Sequence, residues 1–335
     1  MSGTEAHAAE TEAAGGDLRL WQRVDTGDLW RGGGLVIVLI LLVIAGAITR
    51  PEAFLTGNNL FNILSLGAVI GVVTVGMTFI IIGGEIDLSV GALVALASVW
   101  STTVATQEFG FWGMVFSALA VGTVFGLLNG VLIAYGRLVS FIVTLAMLVS
   151  ARGLAEQISN RQPQVARPPE FRSIANGSVL GIPILVLVLI AVAVIGWIVL
   201  NRTTFGRRTF AIGGNAEAAR LAGVRVQRHV MTLFGLSGLC CGIAAIMLTA
   251  RTTTGSSTHG QLYELDAIAA VIIGGTVLTG GRGSLVGSML GVMVFTTITN
   301  LFILNGLSTP FQNIAKGVII VVAVLIQRRA SLRGG

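Results

Sequence analysis

Residues 60–82 read LFNILSLGAVIGVVTVGMTFIII, and residues 83–93 continue as GGEIDLSVGAL. The first of these stretches runs for 23 residues without a charged side chain. As a helix it spans about 34 Å, enough to cross a hydrocarbon layer about 30 Å thick. A membrane β-strand would instead alternate over about 10 residues, and no such alternation is present here. The GGEIDLSVG segment then punctuates the run. Its glycines allow a tight reversal, Asp87 can accept backbone N–H groups at the start of the next helix, and apolar sequence resumes at Leu88.

The chain holds ten apolar runs in all, at 33–48, 60–82, 88–106, 112–134, 139–158, 184–200, 230–250, 262–278, 285–304 and 311–326. Hydrophobic residues make up 54% of the 335 and charged residues only 11%, where soluble chains carry about 25% charge. One soluble core cannot absorb this apolar mass, because single cores stop growing near about 250–300 residues. The expectation is an all-α polytopic membrane protein of about ten transmembrane helices. The 45 glycines suit a bundle whose backbones approach closely.

Arginine sets the expected orientation, since Lys316 is the only lysine. With the N-terminus inside, fourteen arginines fall in inner segments and five in outer ones. That asymmetry places both termini in the cytoplasm. The expected parts are a disordered tail at 1–32, a transmembrane domain at 33–326 and a cytoplasmic tail at 327–335. Within the domain lie an outer loop at 159–183 and an inner loop at 201–229. Arginines confined between apolar runs argue against nucleic-acid binding. Cys240 and Cys241 adjoin inside a run and read as small buried residues, and His7, His229 and His259 are too scattered for a metal site. A weak internal repeat pairs GGEIDLSVGAL at 83–93 with GGRGSLVGSML at 280–290, in the sense of a parallel repeat.

Three polar segments stand out. In NRTTFGRRTFAIGGNAEAARLAGVRVQR, 201–228, Asn215 caps a short helix, Glu217 complements the dipole of its first turn, and Gly223 suits the left-handed residue that ends it. The segment reads either as a docking helix or as a basic anchor for anionic headgroups. In the second segment Glu85 and Asp87 have no nucleophile beside them, so no catalytic residue is assigned. The third, YELDAIAAVIIGGTVLTGGRG at 263–283, is glycine-rich but lacks G-x-x-x-x-G-K-[ST], and no P-loop occurs anywhere in the chain.

Glu217, Ala218 and Ala219 followed by Gly223 resemble the loop signature of ATP-binding cassette (ABC) importer permeases. Together with GGEIDLSVG and YELDAIAAVIIGGTVLTGGRGS, in that order from about Asn58 to Arg328, they resemble the permease subunits of ribose-type ABC sugar importers. The motif positions that carry the likeness are Gly84, Asp87, Leu88, Ser89, Gly91, Glu264, Asp266, Gly280, Gly281 and Gly283. Two departures are Glu85, where relatives often have Gly, and Val277–Thr279, where Ser-Leu-Ser is common.

The resemblance implies a homodimer in the bacterial inner membrane. It also implies a cytoplasmic ATPase with tandem nucleotide-binding domains, which would bind the ATP and magnesium, and an extracytoplasmic sugar-binding protein. No cofactor or metal is assigned to this chain. The docking residues are then Asn215, Glu217, Ala218, Ala219, Arg220, Leu221 and Gly223. A many-hydroxyl solute needs polar partners along its path, and the candidates are Asn62, Ser65, Asn129, Thr144, Thr296 and Asn300, with interhelical hydrogen bonding as the competing role. Lys316 and Arg152 lie within runs, Lys316 either snorkelling outward or facing a dimer interior. A nucleoside or branched-chain amino acid permease is the alternative within the architecture. An ion-coupled transporter would need carboxylates at mid-span, whereas Glu85, Asp87, Glu264 and Asp266 sit near run ends.

Overall fold

The computed structural model describes residues 26–333. Every one of the ten apolar runs contains a helix. In chain order the helices are α1 (Thr26–Thr49), α2 (Pro51–Phe54), α3 (Gly57–Ile82), α4 (Val90–Ser101), α5 (Val104–Gln107), α6 (Gly110–Ala134) and α7 (Ser140–Ser159). Then come α8 (Glu170–Asn176), α9 (Ile184–Arg202), α10 (Thr204–Gly214), α11 (Ala216–Leu221), α12 (Val226–Thr252), α13 (Tyr263–Ile273), α14 (Leu285–Leu304) and α15 (Thr309–Arg333). Four two-residue strands, β1 (Gln164–Val165), β2 (Ser178–Val179), β3 (Ile182–Pro183) and β4 (Thr254–Gly255), form the antiparallel pairs β1–β4 and β2–β3.

Six of the described helices, α3, α6, α7, α9, α12 and α14, are long and apolar enough to cross a membrane. Two runs prove shorter as helices than as apolar sequence. The run at 88–106 splits: α4 has 12 residues, about 18 Å. It stops where the Ser101 and Thr102 hydroxyls turn back onto the Ser98 carbonyl, both at 2.9 Å, and Thr103 caps α5. The run at 262–278 holds only the 11-residue α13, broken by Gly274 and by Gly275 at φ +87°. At the chain ends, α1 begins before Gly33 and α15 continues past Ile326 to Arg333, the latter through Gln327, Arg328, Arg329 and Ala330, which favour helix. Most of the tail expected at 1–32 lies outside the described residues.

The core is built around α3, which is buried along nearly its whole length, with α4 fully buried except at Trp100. Helices α6 and α12 pack backbone to backbone. A Cβ at Gly126 would come within 2.9 Å of the Gly238 Cα, and one at Gly242 within 2.8 Å of the Leu119 Cα. These positions trade side chains for close van der Waals contact, the usual adhesive where no hydrophobic effect acts between helices. The 159–183 segment is a folded cap. Phe171 and Ala166 bury against Met114 and Ala250, and β1 ties the segment to β4.

The two stretches read as a repeat are both turns, but their flanks run in opposite order. Residues 83–89 join the long α3 to the short α4, whereas residues 274–284 join the short α13 to the long α14.

Candidate functional site

Residues 201–229 do not form an extended loop. Helix α10 leads to Gly214, and Asn215 opens α11 by accepting the Ala218 N–H on its side-chain oxygen at 2.9 Å. Gly223, at φ +83°, closes it, while the Val224 N–H donates back to the Ala219 carbonyl at 3.0 Å. Cap, helix and terminator therefore stand where the residue types place them. Glu217 and Arg220 form an exposed pair with Nε–Oε2 at 2.9 Å. That hydrogen bond holds the Glu217 carboxyl below its usual range, and so exposed a pair contributes little stability.

The faces of α11 divide its residues. Ala219 is 6% exposed and packs inward, whereas Leu221 is 74% exposed and Ala218 also faces out. Of the expected docking residues, Ala219 is the one that packs against its own chain. A helix this short is marginal alone, and Leu221 stands out from it into the surroundings. Asn215, Glu217, Arg220 and Gly223 are exposed as well.

Below α11 the three motif segments meet. The Gly281 N–H donates to the Ile82 carbonyl at 2.9 Å. A Cβ at Gly280 would lie 2.7 Å from the Gly84 Cα, and one at Gly281 2.7 Å from the Gly214 Cα. Gly213 is wedged tightest: its Cβ would overlap the Ile82 carbonyl oxygen and come within 2.5 Å of the Gly281 nitrogen. Gly84, Gly280 and Gly281 have φ of +83°, +83° and +73°, a conformation costly for any side-chain-bearing residue. Two turns and the entry to α11 therefore share one joint without side chains. Gly213, Gly214 and Ile82 were not singled out in the sequence, although the Gly-Gly pair directly before a capping Asn was the available signal.

A second convergence lies deeper. The buried Asp87 carboxylate accepts the Ser89 N–H at 2.9 Å, the Ser89 hydroxyl at 2.6 Å and the Ser237 hydroxyl at 3.2 Å. Asn129 donates to the Ser89 hydroxyl at 2.9 Å. The network joins the start of α4 to α6 and α12, while Leu88 is half-buried beside it. Gly91 has no room for a Cβ against the Gly260 carbonyl and the Glu264 carboxylate, and a Cβ at Gly283 would lie 2.6 Å from the Thr276 side chain. Arg152 donates to the Ser257 carbonyl and, at 2.8 Å, to the His259 carbonyl, holding the turn before α13.

The carboxylates expected near run ends do lie in the first turn of α13, but buried. Glu264 and Asp266 are 9% and 4% exposed, and Lys316 Nζ donates to both Asp266 oxygens at 3.1 and 2.9 Å. Lys316 thus neither snorkels nor stands unpaired; it ties α15 to α13.

The six path candidates differ in their hydrogen-bond partners and exposure. Asn300 and Asn59 exchange amide hydrogen bonds at 2.7 and 3.1 Å, joining α14 to α3. The Thr144 and Thr296 hydroxyls donate to their own helices, to the Ser140 and Val292 carbonyls, at 2.8 and 2.7 Å. Asn129 serves the Asp87 network, Ser65 is buried, and Asn62 is exposed. For Asn129 and Asn300 the interhelical role is the observed one.

Comparison with known proteins adds the last observation. The family described as branched-chain amino acid transport system / permease component matches residues 59–325. The ribose import permease of Bacillus subtilis is 39% identical over 300 residues, covering 89% of this chain and 93% of its own length. The ribose import permease of Escherichia coli K12 is 37% identical, covering 88% and 92%. An L-arabinose ABC transporter permease of Azospirillum brasilense is 36% identical, covering 97% and 95%. No solved structure matches.

Proposed function

Because the chain belongs to the branched-chain amino acid transport system / permease component family, we propose that it works as the membrane subunit of an ABC importer for a monosaccharide. It is a multi-pass protein of the bacterial inner membrane and not an enzyme. ATP hydrolysis belongs to a separate ATPase subunit, and a binding protein delivers the solute. The family description mentions amino acids, yet the relatives aligned over nearly their whole length carry ribose and arabinose. A pentose or hexose is accordingly favoured over a branched-chain amino acid or a nucleoside.

The observation that carries the mechanism is the glycine joint. Helix α11 presents Leu221 and Ala218 outward, toward the ATPase, and three residues before α11 begins Gly213 bears on both turns of the bundle. Movement of α11 during the ATP cycle would shift the Ile82–Gly84 and Gly280–Gly281 turns together. Those turns lead directly into α4 and α14, so the bundle rocks and access alternates from one side to the other. In the full assembly two copies of the chain pair, and the ATPase supplies tandem nucleotide-binding domains with their ATP and magnesium. Ten crossings, counting the short α4 and α13, leave both termini in the cytoplasm.

Two measurements test this reading. Leu221→Arg should abolish co-purification of the ATPase and ATP-dependent uptake of labelled ribose or arabinose in proteoliposomes, while membrane insertion stays normal. Uptake that persists without ATP but follows an ion gradient would reject the importer assignment. For topology, Leu180 at the β2–β3 tip is 97% exposed, and Cys240 and Cys241 are buried and silent. A cysteine at Leu180 should react with an impermeant thiol reagent in intact cells, and one at Glu217 only after permeabilisation. The reverse pattern would overturn the orientation.

A further inference from the structure

Between α10, the link from Gly223 to Arg225 and the first turns of α12 lies a cavity of about 550 Å³, within the size range of small-ligand sites. Its walls carry Arg208, Arg225 and Arg228. All three are exposed, and none has an ion-pair partner among the described residues. Three guanidinium groups around one hollow repel one another until an anion enters, and guanidinium geometry matches phosphate oxygens in pairs. The floor is preformed. Phe205 packs its ring, tilted by 35°, against His229 with centroids 4.3 Å apart, and His229 Nε2 hydrogen-bonds the Thr209 hydroxyl at 2.8 Å. The cavity also opens at the start of the 27-residue α12, whose first turn has no side-chain cap and no acidic residue. Unpaired N–H groups at such an end favour an anion.

The surroundings fix the height of the site. Just before α10, Arg202 lies over the Trp197 ring at 5.4 Å, an aromatic and basic pairing suited to the membrane–water boundary. Above it α9 exposes Ile190, Val194, Ile195 and Ile198. A phosphate entering here would lie near the depth of a lipid headgroup.

We propose that this cavity is a binding site for an anionic phosphate group, of the kind carried by acidic phospholipid headgroups at the cytoplasmic leaflet. Its occupant would touch Gly223 and Val224 and so steady the trailing end of α11. This inference stands apart from the transport reading, because it is tested on the permease alone.

The experiment titrates detergent-purified full-length permease with dihexanoyl phosphatidylglycerol, the matching phosphatidylcholine and inorganic phosphate, by calorimetry. Saturable binding of phosphatidylglycerol but not phosphatidylcholine is expected, weakened about tenfold or more in Arg208→Gln/Arg225→Gln/Arg228→Gln, a change of about 1.4 kcal/mol. Arg202→Gln/Arg207→Gln, which removes charge from the same segment outside the cavity, should bind as wild type. Both probes should compete for the site: phosphatidylglycerol binding about tenfold or more tighter than inorganic phosphate would identify the lipid as the source, and equal or tighter binding of inorganic phosphate a free phosphate compound. Single Arg208→Gln and Arg225→Gln variants, checked for monodispersity, replace the triple variant if that one misfolds. The proposal is overturned if neither probe binds saturably, or if the cavity variants bind as wild type. It is equally overturned if they lose the ATPase while still binding phosphatidylglycerol, which would make the cavity an ATPase contact.

Discussion

Gly213→Ala is expected to cut solute uptake by about tenfold or more, while Gly214→Ala, one residue on, leaves it unchanged. The two glycines are chemically equivalent, and neither has positive φ. Their surroundings differ. A Cβ at Gly213 would overlap the Ile82 carbonyl and crowd the Gly281 nitrogen, whereas one at Gly214 meets nothing within 4 Å. The obstructing atoms at Gly213 are backbone, so no rotamer change relieves the clash. Overpacking of this kind costs about 1–3 kcal/mol, and the cheapest relief is to separate α10 from the Gly280–Gly281 turn. Because Asn215 and the outward face of α11 are untouched, the ATPase should still assemble and hydrolyse ATP. Hydrolysis without uptake is the expected signature. Normal transport by Gly213→Ala, or equal damage in Gly214→Ala, would remove the glycine joint from the mechanism.

Lys316→Met should lower stability more than any surface change. The ammonium is bonded to both Asp266 oxygens and also lies 5.2 Å from the Phe295 ring centre. The two side chains are 16% and 6% exposed. Removing one partner of such a pair leaves a buried, uncompensated charge, at a cost of about 3–5 kcal/mol. Replacing both partners with neutral groups of similar volume is far milder. In detergent, Lys316→Met is therefore expected to lose its monodisperse elution peak at a clearly lower temperature than wild type, and Lys316→Met/Asp266→Asn to recover most of the difference. If the double variant is no better than the single one, the ion pair is not what holds α15 to α13.

The sequence by itself determined the class, the places of the helices and the local build of α11. Membrane thickness converts run length into a count of helices, and hydrogen bonds within a few residues control capping, so both can be read without neighbours. Asn215, Gly223 and the turn at Asp87 were legible for that reason. The lengths of α4 and α13 were not, because uncharged residues, Thr-Thr-Val-Ala-Thr after the one and Gly-Gly-Thr-Val-Leu after the other, carry each run past the end of its helix. What stops them is local, the hydroxyls of Ser101 and Thr102 and the Gly274–Gly275 break. An apolar run of ordinary length masks both.

Only the tertiary structure decided partners. Asn300 meets Asn59 across 241 positions, Lys316 meets Asp266 across 50, and Gly281 meets Ile82 from the other end of the chain. A polar residue inside a run must find a hydrogen bond, but nothing in its own segment says whether a neighbouring helix or a passing solute supplies it. The inward turn of Ala219 has the same origin. Its neighbours in sequence are as small and as apolar as it is, and only the packing of α11 against α12 distinguishes the face that is buried from the face left open.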